Sequence, residues 1–130
     1  MNDLHATTDP TTLKKAIVRA ADVLGLTEQL PQVLGVDASS WAQLLANERA
    51  LAPGTDEWNG AVRFASLFRS LLTLVGTVPN AREWLDQHHR TLGASPRALL
   101  RSPEGLERVV RYLEAVQKFE IKLPPRSEQS

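Results

Sequence analysis

A chain of 130 residues, 42% hydrophobic and with 15 basic side chains against 15 acidic ones, suits one compact domain or two small ones sharing a core, and excludes a fibrous, collagenous or disordered protein. The charge balance also excludes a global positive field that would hold the chain on nucleic acid or membranes. The absence of cysteine removes disulfides, thiolate zinc sites and thiol nucleophiles from consideration.

Met1 to Pro10 is polar and acidic, without the basic start and apolar run of a secretion signal. No apolar run reaches the ~20 residues needed to cross a bilayer, so a cytoplasmic protein with no membrane partner is expected. From Thr12 to Leu26, Leu13, Ile17, Ala20, Ala21, Val23 and Leu24 recur at helical spacing and Gly25 supplies a stop. A short apolar helix follows over Leu30 to Leu34, with Pro31 in its first turn and Gly35 after it. Asp37, Ser39 and Ser40 are candidate caps for a third helix with Trp41, Leu44 and Leu45 inward and Ser39, Ser40, Gln43 and Asn47 outward.

Beyond Pro53-Gly54, Thr55 caps a long fourth helix with Asp56 and Glu57 in its first turn, running to about Gly76. Phe64, Leu67, Phe68, Leu71, Leu72, Leu74 and Val75 cover most of its circumference, which predicts burial on several sides. Asn80 and Glu83 have capping-box spacing and predict the start of a fifth helix, with Trp84 and Leu85 inward and Gly93 as its end. Ser95-Pro96 and Ser102-Pro103 repeat a capping hydroxyl followed by proline, predicting a short helix and then a long one to about Phe119. The expected fold is all-α, with about seven helices.

The first three helices have the lengths and tight glycine turn of a helix-turn-helix, whose third helix would enter a major groove. The amides of Gln43 and Asn47 suit an adenine edge. Residues 1–55 carry four basic and six acidic groups, a local net charge of −2 that opposes phosphate binding. A solvated helical bundle is therefore kept open beside the DNA-binding reading. His88 and His89 point about 100° apart on a helix, which disfavours shared metal ligation. No nucleophile turn or phosphate loop is present, so neither an enzyme, a cofactor nor a metal is expected. Near the C-terminus Phe119, Ile121 and Leu123 alternate with Glu120 and Lys122 before Pro124 and Pro125, which leaves two readings: a frayed, disordered end over the last few residues, or an extended apolar segment that docks on this protein or on another.

The succession Trp84-Leu85, Leu92-Gly93, Ser95-Pro96, Leu99-Leu100 and Arg101-Ser102-Pro103-Glu104-Gly105-Leu106, then Val109, Val110, Tyr112 and Leu113, resembles the toxin-binding domain of the Xre/MbcA/ParS antitoxins. Upstream, Val23-Leu24-Gly25-Leu26, Val33-Leu34-Gly35-Val36 and Leu67-Phe68-Arg69-Ser70-Leu71 resemble the Xre-like helix-turn-helix domain that precedes it there. The resemblance implies an antitoxin paired with a RES-domain, NAD-consuming toxin. Such an antitoxin dimerises, masks the toxin's active site and represses its own operon by binding operator DNA. By position, Gly93, Pro96, Arg101, Pro103, Gly105 and Tyr112 are the implied toxin-binding residues, joined by Phe119, Ile121 and Leu123 of the tail. Ser39, Ser40, Gln43 and Asn47 are the implied DNA-binding residues, and Phe64, Phe68, Leu71 and Leu72 the expected homodimer contact. The implied organisation is a flexible 1–11, a helix-turn-helix and dimerisation region 12–78, a toxin-binding domain 79–118 and an extended tail 119–130. A helical interaction adaptor without DNA binding is the alternative.

Overall fold

The computed structural model describes residues 9–122, with side chains as far as Lys118. Among these residues the chain forms seven helices and no strand: α1 (Pro10–Leu24), α2 (Leu30–Leu34), α3 (Ala38–Leu45), α4 (Asp56–Val75), α5 (Val78–Asp86), α6 (Pro96–Leu99) and α7 (Pro103–Lys122). The all-α expectation holds. No single helix among the described residues is long and apolar enough to cross a membrane.

Local chemistry accounts for most of the boundaries. The Asp9 carboxylate accepts from the Thr12 backbone N–H at 2.7 Å, so α1 starts earlier than the apolar spacing predicts, with Pro10 where its missing N–H costs nothing. Gly25 closes α1 at φ 75°, where its N–H and that of Leu26 return to the last carbonyls of the helix. Asp37 caps α3 by accepting from the Ser40 N–H at 2.7 Å, and Thr55 caps α4 by accepting from the Trp58 N–H at 3.1 Å.

Three expectations about element ends are corrected. Thr77, rather than Asn80, caps α5: its hydroxyl accepts from the Asn80 N–H at 3.2 Å, while the Asn80 amide donates to the Val75 carbonyl at 2.9 Å. A hydroxyl preceding Val78-Pro79 wins because proline is already tolerated in the first turn. Gly93 does not end α5, which stops at Asp86; it closes a turn in which its N–H donates to the His89 carbonyl at 2.9 Å. The alternation at Phe119 to Lys122 does not give an extended chain, because α7 continues through Lys122. Extending a formed helix adds one hydrogen bond per residue without a new nucleus, whereas an isolated strand has no partner to bond. The side chains of Phe119 and Ile121, and all of Leu123, lie outside what the structure describes.

Helix α4 is the centre of the bundle, packed by α1, α2, α5 and α7. Its inward stripe is Gly60, Ala61, Phe64, Leu67 and Leu71. Gly60 brings α2 close, since a Cβ there would lie 3.3 Å from Leu34 Cδ2. One cluster of buried side chains runs from Leu13 on α1 to Leu113 on α7, spanning both sides of residue 78. Leu45, expected inward, is 49% exposed. The two turns of α3 lie at the bundle's edge and turn only Leu44 fully inward.

Hydrogen bonding from the backbone and side chain of Thr12 to Asp9, and of Ser40 to Asp37, holds both carboxyls below their ordinary value of 3.8. A carboxyl with a lowered folded pKa contributes stability that is fully present above the ordinary value and is lost as pH falls through the folded one. The double variant Asp9→Asn/Asp37→Asn keeps two capping oxygens without an ionisable group. Its melting temperature should therefore fall less than that of the parent chain between neutral pH and about pH 2.5; parallel acid limbs would contradict the capping role.

Candidate functional site

Two surfaces collect the residues singled out by sequence. The first is α3. Ser39 and Gln43 are exposed and Ser40 is half-buried. Asn47 is not on the helix: α3 ends at Leu45, and Asn47 adopts φ 64°, a left-handed conformation asparagine tolerates. Its side-chain oxygen accepts from Lys14 Nζ, which also donates to the Leu44 carbonyl at 2.8 Å. The Asn47 amide is thus a closing device for α3, and Asn47 does not share the outer side of that helix with Gln43 as expected. Lys14 caps the negative end of α3, where a cation is favourable. Arg49 is held by both carboxylate oxygens of Glu57, at 2.8 and 3.0 Å. Two of the four basic groups in residues 1–55 are therefore tied down beside α3.

The second surface is the turn and helix pair from Gln87 to Gly105. His89 and Ala94 bridge the turn, and Gly93 at φ 75° sits exposed at its tip. The Ser95 hydroxyl accepts from the Ala98 N–H at 3.2 Å and that of Ser102 from the Gly105 N–H at 3.0 Å. These caps set α6 and α7 at a sharp corner. Gly105 makes the corner possible: a Cβ there would lie 1.7 Å from the Leu99 carbonyl oxygen. Pro96 and Gly105 are buried, whereas Gly93, Arg101 and Pro103 are exposed. Of the expected toxin-binding residues, the first two shape the corner from beneath and the other three stand on its outside.

Tyr112 is half-buried against two rings that join the face from α5 and the turn. Its ring stacks on Trp84 at 6.1 Å between centroids and meets the edge of His89 at 5.5 Å. His89 Nε2 lies 3.1 Å from the Trp84 carbonyl oxygen, which can only accept, so Nε2 carries the proton and Nδ1 faces the Tyr112 hydroxyl at 3.5 Å. His89 is thereby a packing residue that pins the turn to α5 and α7.

What sequence reasoning missed is how this surface is fastened to the first three helices. Arg97 donates to the carbonyls of Gly25 at 2.9 Å and Leu24 at 3.2 Å while its Nε pairs with Asp86 at 2.6 Å. Arg82 donates to the Val23 carbonyl at 2.7 Å. Together they cap the C-terminus of α1, where unpaired carbonyls and the helix dipole favour cations. Gln29 reaches back to the carbonyls of Arg97 at 3.1 Å and Leu100 at 2.5 Å. Pro103 packs on Gly35, whose Cβ, if present, would lie 3.1 Å from it. No local signal marks these pairs, because Arg97 and its α1 partners are 72 and 73 residues apart.

Arg97→Ala removes two charge-assisted bonds and one ion pair at a partly exposed position, so a loss of about 2 kcal/mol is expected by chemical denaturation. Arg97→Lys should recover less than half, since an ammonium cannot span the fork. Full recovery by lysine would reduce the clamp to a simple charge effect.

Residues 70–118 match the family model of the antitoxin Xre/MbcA/ParS C-terminal toxin-binding domain. The match begins within α4 and covers α5, the turn, α6 and most of α7. It supports an antitoxin role in a toxin–antitoxin pair, with a toxin as partner. No curated protein matches the chain.

Proposed function

We propose that the chain is the antitoxin of a RES-domain, NAD-consuming toxin, blocking the toxin's active site through the 87–105 surface and repressing its own operon through α3. The match over residues 70–118 is the observation that carries this reading, and the firmly braced corner at Gly105 supports it. An inhibitor needs a rigid, complementary surface and a long residence time, with no reactive groups of its own. Gly93, Arg101 and Pro103 would touch the toxin directly. Tyr112 would steady the contact through its stacking, and Phe119, Ile121 and Leu123 would extend it.

Co-expression of the chain with the product of its neighbouring gene, followed by pull-down and growth assay, is the test. A stable complex and relief of growth arrest are expected; recovery of the chain alone would overturn the proposal. Truncation before Phe119 should weaken protection, and undiminished protection would remove the tail from the interface.

DNA binding is part of the same proposal and calls for two copies, so that two α3 helices meet successive grooves. Phe64 and Leu71 have no exposed surface to offer a second copy, since both are fully buried within one chain. The alternative adaptor is favoured by a specific observation: Lys14 and Arg49 are committed to internal partners next to α3. Mobility-shift titration on the upstream DNA decides between them. A steep fall of affinity with salt supports repression, and no binding at low salt supports the adaptor.

A further inference from the structure

The outward stripe of α4 lies mostly ahead of the 70–118 match. Trp58, Val62, Ala65, Arg69 and Leu72 follow one another at spacings of four and three, and so lie along one line of the helix. Val62 is 40% exposed, one of the large apolar side chains left open to water. A cleft of about 730 Å³ runs on one side, against Leu13 and Val110, and one of about 670 Å³ on the other, against Arg19 and Phe68. The two meet at Ala65 and Arg69, which line both.

The rim is predominantly basic. Among the described residues Arg19, Arg63 and Arg69 make no ion pair or side-chain hydrogen bond, and among those same residues Glu114 is the sole acid lining either cleft. From Trp58 to Leu72 the stripe spans about 21 Å at the helical rise, roughly four turns of an opposing helix.

We infer that this face of α4 is a docking surface for a protein partner's acidic amphipathic helix, its apolar stripe over Val62, Ala65 and Leu72 and its carboxylates on Arg19, Arg63 and Arg69. The apolar floor distinguishes the site from a phosphate-binding one, which would present donors and cations throughout. Arg69, between Ala65 and Leu72, disfavours a two-fold contact with a second copy, which would desolvate the guanidinium of both copies in one interface. Three guanidinium groups along apolar side chains are suited to carboxylates, which they can grip in pairs of hydrogen bonds. The inference goes beyond the antitoxin reading and does not depend on it.

The test is fluorescence anisotropy on the full chain with three labelled helical peptides of about eighteen residues, each with leucines at i, i+3, i+4 and i+7. Their flanking positions are glutamate, glutamine or lysine. The glutamate peptide should bind at least tenfold more tightly than the glutamine one, and the advantage should shrink as salt rises. In Arg63→Glu/Arg69→Glu the preference should pass to the lysine peptide, and in Arg63→Gln/Arg69→Gln, which changes less of the surface, it should disappear. Equal affinities for all three peptides would overturn the inference. So would displacement of the glutamate peptide by duplex DNA, or a dimer by light scattering that Val62→Glu dissociates.

Discussion

Gly105→Ala is expected to cost at least about 3 kcal/mol and lower the melting temperature by roughly 10 °C. An added Cβ would lie 1.7 Å from the Leu99 carbonyl oxygen and 2.8 Å from its carbon, both backbone atoms. The carbonyl has little freedom to retreat, because it already accepts from the Arg101 N–H at 2.8 Å and Leu100 beside it is fully buried. Relief therefore requires α6 to move off the first turn of α7, which displaces Arg101 and Pro103 together. Gly93→Ala is the matched control: its φ of 75° makes a side chain strained, but nothing stands within 4 Å, so about 1 kcal/mol is expected. Thermal melts of the two variants separate close packing from backbone preference. Equal losses would show that the corner at Gly105 is no tighter than an ordinary turn. The same variant should lose toxin protection at temperatures where it is still folded, if the corner is the inhibitory surface.

Phe64→Ala should cost about 3–5 kcal/mol, a large share of the 5–15 kcal/mol that holds a typical domain together. The ring is fully buried at the middle of α4 and belongs to the cluster shared by α1, α2, α5 and α7. Its removal leaves a void that helices already in contact on several sides cannot close. Phe68→Ala, at a half-buried position on the outer cleft, should cost about 1 kcal/mol. Denaturation at several protein concentrations distinguishes the roles. A loss at Phe64 that is independent of concentration places the ring in the protomer's core, while a concentration-dependent midpoint would return it to a subunit interface.

Phe64 also illustrates where sequence reasoning stops. A helix apolar nearly all round announces burial on several sides, and α4 has that burial, but composition does not tell which neighbour covers which residue. The four residues expected to pair two copies divide instead, with Phe64 and Leu71 inside and Phe68 and Leu72 on the cleft. At α5 the spacing of Asn80 and Glu83 pointed to a cap that Thr77 supplies, because two polar residues three positions apart compete locally and only the entry of the chain from α4 decides between them. The candidate surface was legible in its corner-forming residues, Ser95-Pro96 and Ser102-Pro103-Glu104-Gly105, whose chemistry is local. Its arginine fastening was not.

By itself the amino-acid order determined the helices, since caps, proline positions, glycine stops and apolar periodicity act within a few residues of one another. It also carried the succession from Trp84 to Leu113 that resembles a toxin-binding domain. Tertiary structure alone decided that Asn47 leaves α3 to hold Lys14, that Arg82 and Arg97 close the end of α1, and that Arg69 on the outward stripe of α4 stays without an ion pair among the described residues. Those outcomes depend on which carbonyls and charges meet across long stretches of chain, and such meetings are set by the packing of whole helices rather than by any residue's neighbours in sequence.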